Sequence, residues 1–224
     1  AVRTGVTVRE LARTDGGFTV VTGPTTAPER IETDAVVLAT PAAPTARLLT
    51  EVAPAAAREL AEIESASVVV VTLAFRTEDV RGLDDSSGFL VPPVDGRAIK
   101  ASTFSFAKWG WVREAGAEHG LVHLRTSLGR HGEEATLQRT DEELVAASLA
   151  DLNEAAGISA APLATHVQRW GGGLPQYAVG HLDRVARIRA AVAEVPGLVL
   201  CGAAYDGVGI PSVIASARAA VAGL

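Results

Sequence analysis

Apolar positions along the chain fall into two kinds of run, one alternating with polar residues and one unbroken. Val6 and Val8 alternate with polar neighbours, Asp15-Gly16-Gly17 supplies turn chemistry, and Phe18-Thr19-Val20-Val21 follows as a second strand. Gly23-Pro24 then breaks the pattern. After Ile31-Glu32-Thr33-Asp34 comes Ala35-Val36-Val37-Leu38-Ala39, with no alternation and a stop at Thr40-Pro41. Such a run predicts a strand buried on both faces, as in a parallel sheet. Loop and helix are expected from Pro41 to about Ile63. Strands are expected over Ser67–Phe75, over Phe89-Leu90-Val91 closed by Pro92-Pro93, over Ala98–Phe104 and over Leu121–Leu128. The last of these alternates clearly. Val122, Leu124, Thr126 and Leu128 share one face, and His123, Arg125 and Ser127 share the other, as a solvated face or a polar pocket wall.

The helix opening near Asp141 carries the fullest set of signals. Thr140 and Glu143 have capping-box spacing, Val145, Leu149, Leu152 and Ala156 recur on one face, and Gly157 stands where a C′ residue belongs. A strand near Thr165–Trp170 is expected to end at Gly171-Gly172-Gly173. A second amphipathic helix then carries Val185, Ile188, Val192 and Val195, and Pro196-Gly197 ends it. Leu198-Val199-Leu200-Cys201 is again wholly apolar. It leads through a glycine-rich loop, Gly202 to Gly209, into a last helix opened by Pro211. The chain is thus an α/β protein with α+β character. Residues 1–43 and 196–224 carry the buried strands of one domain, and 44–195 carry an alternating sheet with helices of a second.

Composition narrows the function classes. With 48% hydrophobic and 21% charged residues the chain is an ordinary globular protein, not a disordered one. A net charge of −6 argues against a nucleic-acid surface. Cys201 is the one cysteine, so neither an internal disulfide nor a cysteine metal cluster can form. The histidines His119, His123, His131, His166 and His181 show no metal-ligand spacing, and no catalytic dyad stands out. His181 reads as a structural hydrogen-bonder, Cys201 as buried and inert, and Asp84-Asp85 and Glu133-Glu134 as solvated charges. Trp109 and Trp111 flank Gly110, packing either a pocket or a hairpin. No signal peptide is visible, which makes the cytosol the expected compartment.

The strand, glycine loop and helix at Leu198–Pro211 hold the strongest chemical signal. Gly202, Gly207 and Gly209 let backbone amides approach a ligand, and the helix start offers unpaired N–H donors with a positive dipole end. Such an end suits a phosphate or another developing negative charge. The same pattern also serves a plain αβ connection. Neither the G-x-G-x-x-G spacing nor a P-loop lysine is present.

The wording of these segments decides between them. CGAAYDGVGIPSVIASARAAV, RWGGGLPQYAVGH and DAVVLATPA, with GFLVPP and TDEELVAASLADL between, resemble the FAD-dependent protoporphyrinogen/coproporphyrinogen oxidases of the amine-oxidase-like flavoprotein superfamily. The resemblance implies a partial FAD-binding domain plus a mixed-sheet substrate-binding domain. It also implies a fragment, because members open with a G-x-G-x-x-G unit and carry a helical, membrane-associating insertion that this sequence lacks. The parent enzyme is then expected in the cytoplasm, peripheral to the membrane. The 224-residue chain alone is expected to be inactive, to carry no flavin, and to self-associate through an uncovered domain face.

Residue by residue, the resemblance places Val208, Gly209 and Ile210 at the flavin end of FAD, Trp170 near the cofactor and Val8 on the adenine side. Gly88 and Leu90 fall in the substrate pocket, with Leu90 against a tetrapyrrole ring. Ser127 lies on the facing wall, and Arg125 reads a propionate or sits as a surface arginine. The implied reaction removes six electrons from coproporphyrinogen III, or from protoporphyrinogen IX, with dioxygen as acceptor. It calls for orientation and a dry pocket more than for an acid–base pair. A related amine oxidase or carotenoid desaturase, and a non-catalytic folded module, are the other readings.

Overall fold

The computed structural model describes residues 1–224, which divide into two compact units: Ala1–Ser65 with Leu174–Leu224, and Ala66–Gly173. The first unit opens with the expected hairpin. β1 (Val8–Thr14) and β2 (Gly17–Thr22) pair antiparallel, and β3 (Glu29–Thr33) adds to β2. β4 (Val36–Leu38) leads into α1 (Ala42–Leu48) and α2 (Pro54–Ala61), the latter begun by a proline whose missing N–H costs nothing there.

The second unit is built on a five-stranded sheet, entered through β5 (Ser65–Arg76). β6 (Gly88–Leu90), β7 (Ile99–Thr103) and β8 (Leu121–Leu128) are antiparallel neighbours, with the short helices α3 (Ser105–Lys108) and α4 (Gly110–Ala117) between β7 and β8. α5 (Asp141–Ala156) has the reciprocal capping box of Thr140 and Glu143, and Gly157 closes it at φ 68°. β9 (Ala164–Pro175) is an edge strand, completing the order β6-β7-β8-β5-β9. One side of the sheet is sealed by a core of Val69, Val71, Leu73, Phe75, Leu124 and Leu128, joined by Leu144 and Leu152 from α5. Within it the Thr126 hydroxyl donates to Ser148 Oγ at 2.8 Å, so both buried hydroxyls find a partner.

Back in the first unit, α6 (His181–Ala193) precedes β10 (Leu198–Leu200), which pairs parallel with β4. The short α7 (Ala203–Asp206) and then α8 (Ile210–Val221) end the chain. Leu38, Leu49, Leu60, Ile188, Val192 and Leu198 form this unit's core.

Four expectations need correction. The helices α2 and α6, and most of α1, lie outside 1–43 and 196–224 yet share the first unit's core, so the compact units divide at 65/66 and 173/174. β4 is not buried on both faces: Leu38 is buried and Val36 partly so, while Val37 on the other face is 41% exposed. The buried stripe of α5 runs through Leu144, Ser148 and Leu152, leaving Val145 and Leu149 at its margin. The strand near Trp170 does not stop at the glycines but continues through them to Pro175, helped by Gly172 N–H donating to Ser67 Oγ at 3.0 Å.

Candidate functional site

Strand register in the second unit gathers the four residues that the resemblance assigns to a substrate pocket. Leu90 pairs with Ala101, Ala101 with Ser127, and Ser127 with Val70. One step along, Gly88 pairs with Thr103, Thr103 with Arg125, and Arg125 with Thr72. Side chains two apart on a strand share a face, so these eight residues line the side of the sheet away from the core. Leu90 is 84% exposed there, Ser127 is half-buried, and no acidic residue stands in either row. Gly88 is required by contact as well as by conformation. At φ 129°, a Cβ would lie 2.1 Å from the Ser102 carbonyl oxygen, so β6 can approach β7 this closely only without a side chain.

At one end of this face the Arg125 guanidinium lies 5.1 Å from the centroid of the Trp109 ring, and Lys108 Nζ is 5.1 Å from the same ring. Trp109 is held between α3 and α4: its backbone N–H donates to the Ser105 carbonyl at 3.1 Å. Arg113 fixes the same corner by donating to the carbonyls of Phe106 at 3.1 Å and Ala107 at 3.2 Å.

In the first unit the glycine loop also keeps its expected shape. Gly202 at φ 125° and Gly207 at φ 128° turn the chain on either side of α7, and Gly209 caps α8. Val208, Gly209 and Ile210 are all exposed, Ile210 by 77%. A Cβ on Gly209 would meet nothing nearer than Pro211 Cδ at 3.8 Å. Pro211 has no N–H and the Val213 N–H donates to the Gly209 carbonyl at 3.0 Å, so the first turn of α8 offers the amides of Ile210 and Ser212 at the positive end of a three-turn helix. A cavity of about 670 Å³ in this unit is lined by Val192, Leu200, Asp206 and Ser216 among others, and Val208–Ile210 are not part of it. Val8 starts β1, 43% exposed, and Trp170 lies on β9, 55% exposed.

Comparison with known proteins decides the family. The family model of the flavin containing amine oxidoreductases matches residues 1–224. The chain belongs to this family. Among curated relatives, the coproporphyrinogen III oxidase of Mycobacterium tuberculosis (strain ATCC 25618 / H37Rv) is 36% identical over 192 residues. That match takes in 86% of this chain and 40% of the relative. The coproporphyrinogen III oxidase of Bacillus subtilis (strain 168) is 33% identical over 85% of this chain and 40% of its own length. A solved structure assigned by name as a protoporphyrinogen oxidase, from Exiguobacterium sp. 255-15, superposes with TM-score 0.76 at 32% identity, over 96% of this chain and 45% of that one. Cyclohexylamine oxidase from Brevibacterium oxydans IH-35A shares the fold at TM-score 0.63 and 15% identity, over 96% of this chain and 47% of that one. The chain thus spans about 40% of the length of the curated relatives it matches.

Other features of the chain were not legible in advance. Tyr177, from the P-Q-Y-x-V-G-H stretch, donates its hydroxyl to the Ala203 carbonyl, pinning the start of α7. Its ring stacks on His181 at 4.4 Å. His181 is buried but its Nε2 meets no partner, so its part is packing against Tyr177 rather than the expected hydrogen bonding at that nitrogen. Burial pushes the phenols of Tyr205 and Tyr177 and the thiol of Cys201 above their ordinary values, and Cys201 is buried as expected. No group of three His, Cys, Asp or Glu side chains could hold a metal ion, and no helix is long and apolar enough to cross a membrane.

Proposed function

We propose that this chain is the substrate-binding and flavin-facing part of an FAD-dependent oxidase that converts coproporphyrinogen III to the porphyrin with dioxygen as acceptor. Protoporphyrinogen IX is the neighbouring substrate of the same chemistry. The observation that carries the reading is the convergence of Gly88, Leu90, Arg125 and Ser127 on one open sheet face. A flat macrocycle with carboxylate arms suits such a surface, with Leu90, Ala101 and Val70 for the rings and Arg125 for an arm. An amine substrate fits it poorly, since the rows hold a cation and no carboxylate to meet an ammonium group.

Val208, Gly209 and Ile210 fit a flavin: exposed amides, an uncrowded Gly209 and a helix dipole end would favour negative charge on an electron-rich heterocycle. Bound there, FAD supplies the two-electron acceptor for each of the three successive oxidations. The residues of this chain bind and orient. Leu90 excludes water from the ring face, Arg125 fixes the arm, and the α8 amides hold charge. Tyr177 keeps the loop in position through Ala203.

The test is binding of coproporphyrin III, followed by its fluorescence, to the chain and to Leu90→Ala. Leu90 is exposed, so the variant keeps the fold. Losing its cover of a ring costs about 1.5–3 kcal/mol, or roughly tenfold or more in affinity. Unchanged affinity in Leu90→Ala would remove the face from the substrate site.

A further inference from the structure

We propose that Lys108 and Arg125, gathered on the Trp109 ring, form a two-cation seat that takes a carboxylate arm of the ligand at the end of the exposed sheet face. The seat rests on the reading of that face as a tetrapyrrole surface and adds to it a second cation and the residue that positions both. Lys108 lies off the sheet, at the C-terminus of α3, so its place beside Arg125 is visible only through the fold.

Charge arrangement carries the inference. Four other cations of this unit are spent on internal acceptors: Arg97 on Glu154 and Asp151, Arg169 on Asp141, Lys100 on the Gly129 carbonyl, and Arg130 on three carbonyls. Lys108 and Arg125 meet no carboxylate and no carbonyl. Each has only the Trp109 ring, so the two charges stand no more than about 10 Å apart. A ring face attracts either cation but does not cancel their mutual repulsion. A carboxylate drawn to the Trp109 corner does, and the two cations offer it a planar fork and a point charge, each 5.1 Å from the same ring. The corner is also rigid. The Lys108 and Trp109 amides donate to the Phe104 and Ser105 carbonyls at 2.9 and 3.1 Å, and Arg113 ties down the preceding residues, so the seat is preorganised.

The experiment measures binding of two probes of one ring system, coproporphyrin III and its neutral tetra-amide, to the 224-residue chain and to Lys108→Ala, Arg125→Ala, the double variant, Lys108→Arg and Trp109→Leu. Both cations are exposed, so the variants fold, and circular dichroism checks it. We expect each single alanine variant to weaken coproporphyrin III about fivefold or more and the double variant more than either, with the tetra-amide unchanged within about twofold. Lys108→Arg restores most of the affinity, while Trp109→Leu weakens the acid and leaves the amide. Equal binding of coproporphyrin III to parent and double variant overturns the seat but leaves the tetrapyrrole face standing. A parent chain that binds neither probe overturns the face and the seat together.

Discussion

Replacing Gly88 by alanine asks the most of the fold with a single methyl group. The residue sits at φ 129°, and its new Cβ would stand 2.1 Å from Ser102 O and 2.9 Å from Thr103 Cα, both backbone atoms that cannot rotate away. Holding an L-residue in that conformation costs about 1–3 kcal/mol. Relieving the overlap means parting β6 from β7, which gives up hydrogen bonds across the Gly88–Thr103, Phe89–Ser102 and Leu90–Ala101 pairs worth about 0.5–1.5 kcal/mol each. A total near 3 kcal/mol follows, and for a unit of about a hundred residues that lowers Tm by about 12 °C or more. Gly96→Ala is the control. Gly96 lies at φ 65° with no atom within 4 Å of where the added methyl would stand, so it suffers conformational cost alone, about 1 kcal/mol and about 4 °C. Thermal unfolding followed by circular dichroism on the parent and both variants separates the two terms. Coproporphyrin III affinity should fall in Gly88→Ala, whose Leu90 is displaced, and hold in Gly96→Ala. Equal melting of the two variants would refute the close approach of β6 to β7.

Two further outcomes are expected. Thr126→Val or Ser148→Ala alone leaves one buried hydroxyl unpartnered and should cost about 1–3 kcal/mol in urea unfolding, whereas the double variant should cost less than the sum of the singles. Additive losses would show that the hydroxyls act independently. Burial pushes the Asp206 carboxyl up, but the nearby Ser216 hydroxyl and the Arg189 guanidinium, which donates to both carboxylate oxygens at 2.7 Å, outweigh it and hold the group below the usual carboxylate range. Its folded value being lower than its unfolded one, its stabilisation is present at neutral pH and is lost as pH falls through that depressed value. Asp206→Asn should therefore show a shallower acid-side fall of stability than the parent, and parallel curves would contradict this.

Much of the fold was legible because its signals are local. The Thr140 and Glu143 capping box, Gly157 and the strict alternation of β8 each depend on residues a few positions apart, and each stands as expected. The three glycines of β9 misled because a glycine run reads as a break, whereas an edge strand can carry them when its backbone groups find partners such as Ser67. In α5 two overlapping apolar stripes compete, and only the position of the sheet core selects Leu144, Ser148 and Leu152. The pocket assignment of Gly88, Leu90, Arg125 and Ser127 came from resemblance alone, and the register puts the four on one face of the sheet. Lys108 was beyond reach for the opposite reason, since its relation to Arg125 passes through the turn of α3 and the ring of Trp109.

The chain enters the second unit within β5 and leaves it within β9, so one unit is threaded into the middle of the other. During synthesis β4 emerges long before β10, its parallel neighbour, and the hairpin and first two helices must wait for α6 to cover them. The sheet of the inserted unit, by contrast, is complete once β9 has left the ribosome, and it can close while its host is half made. Translation order thus delivers the five-stranded sheet before β10 and the glycine loop that follows it, and a stall between the two would leave the apolar side of β4 without its partner strand.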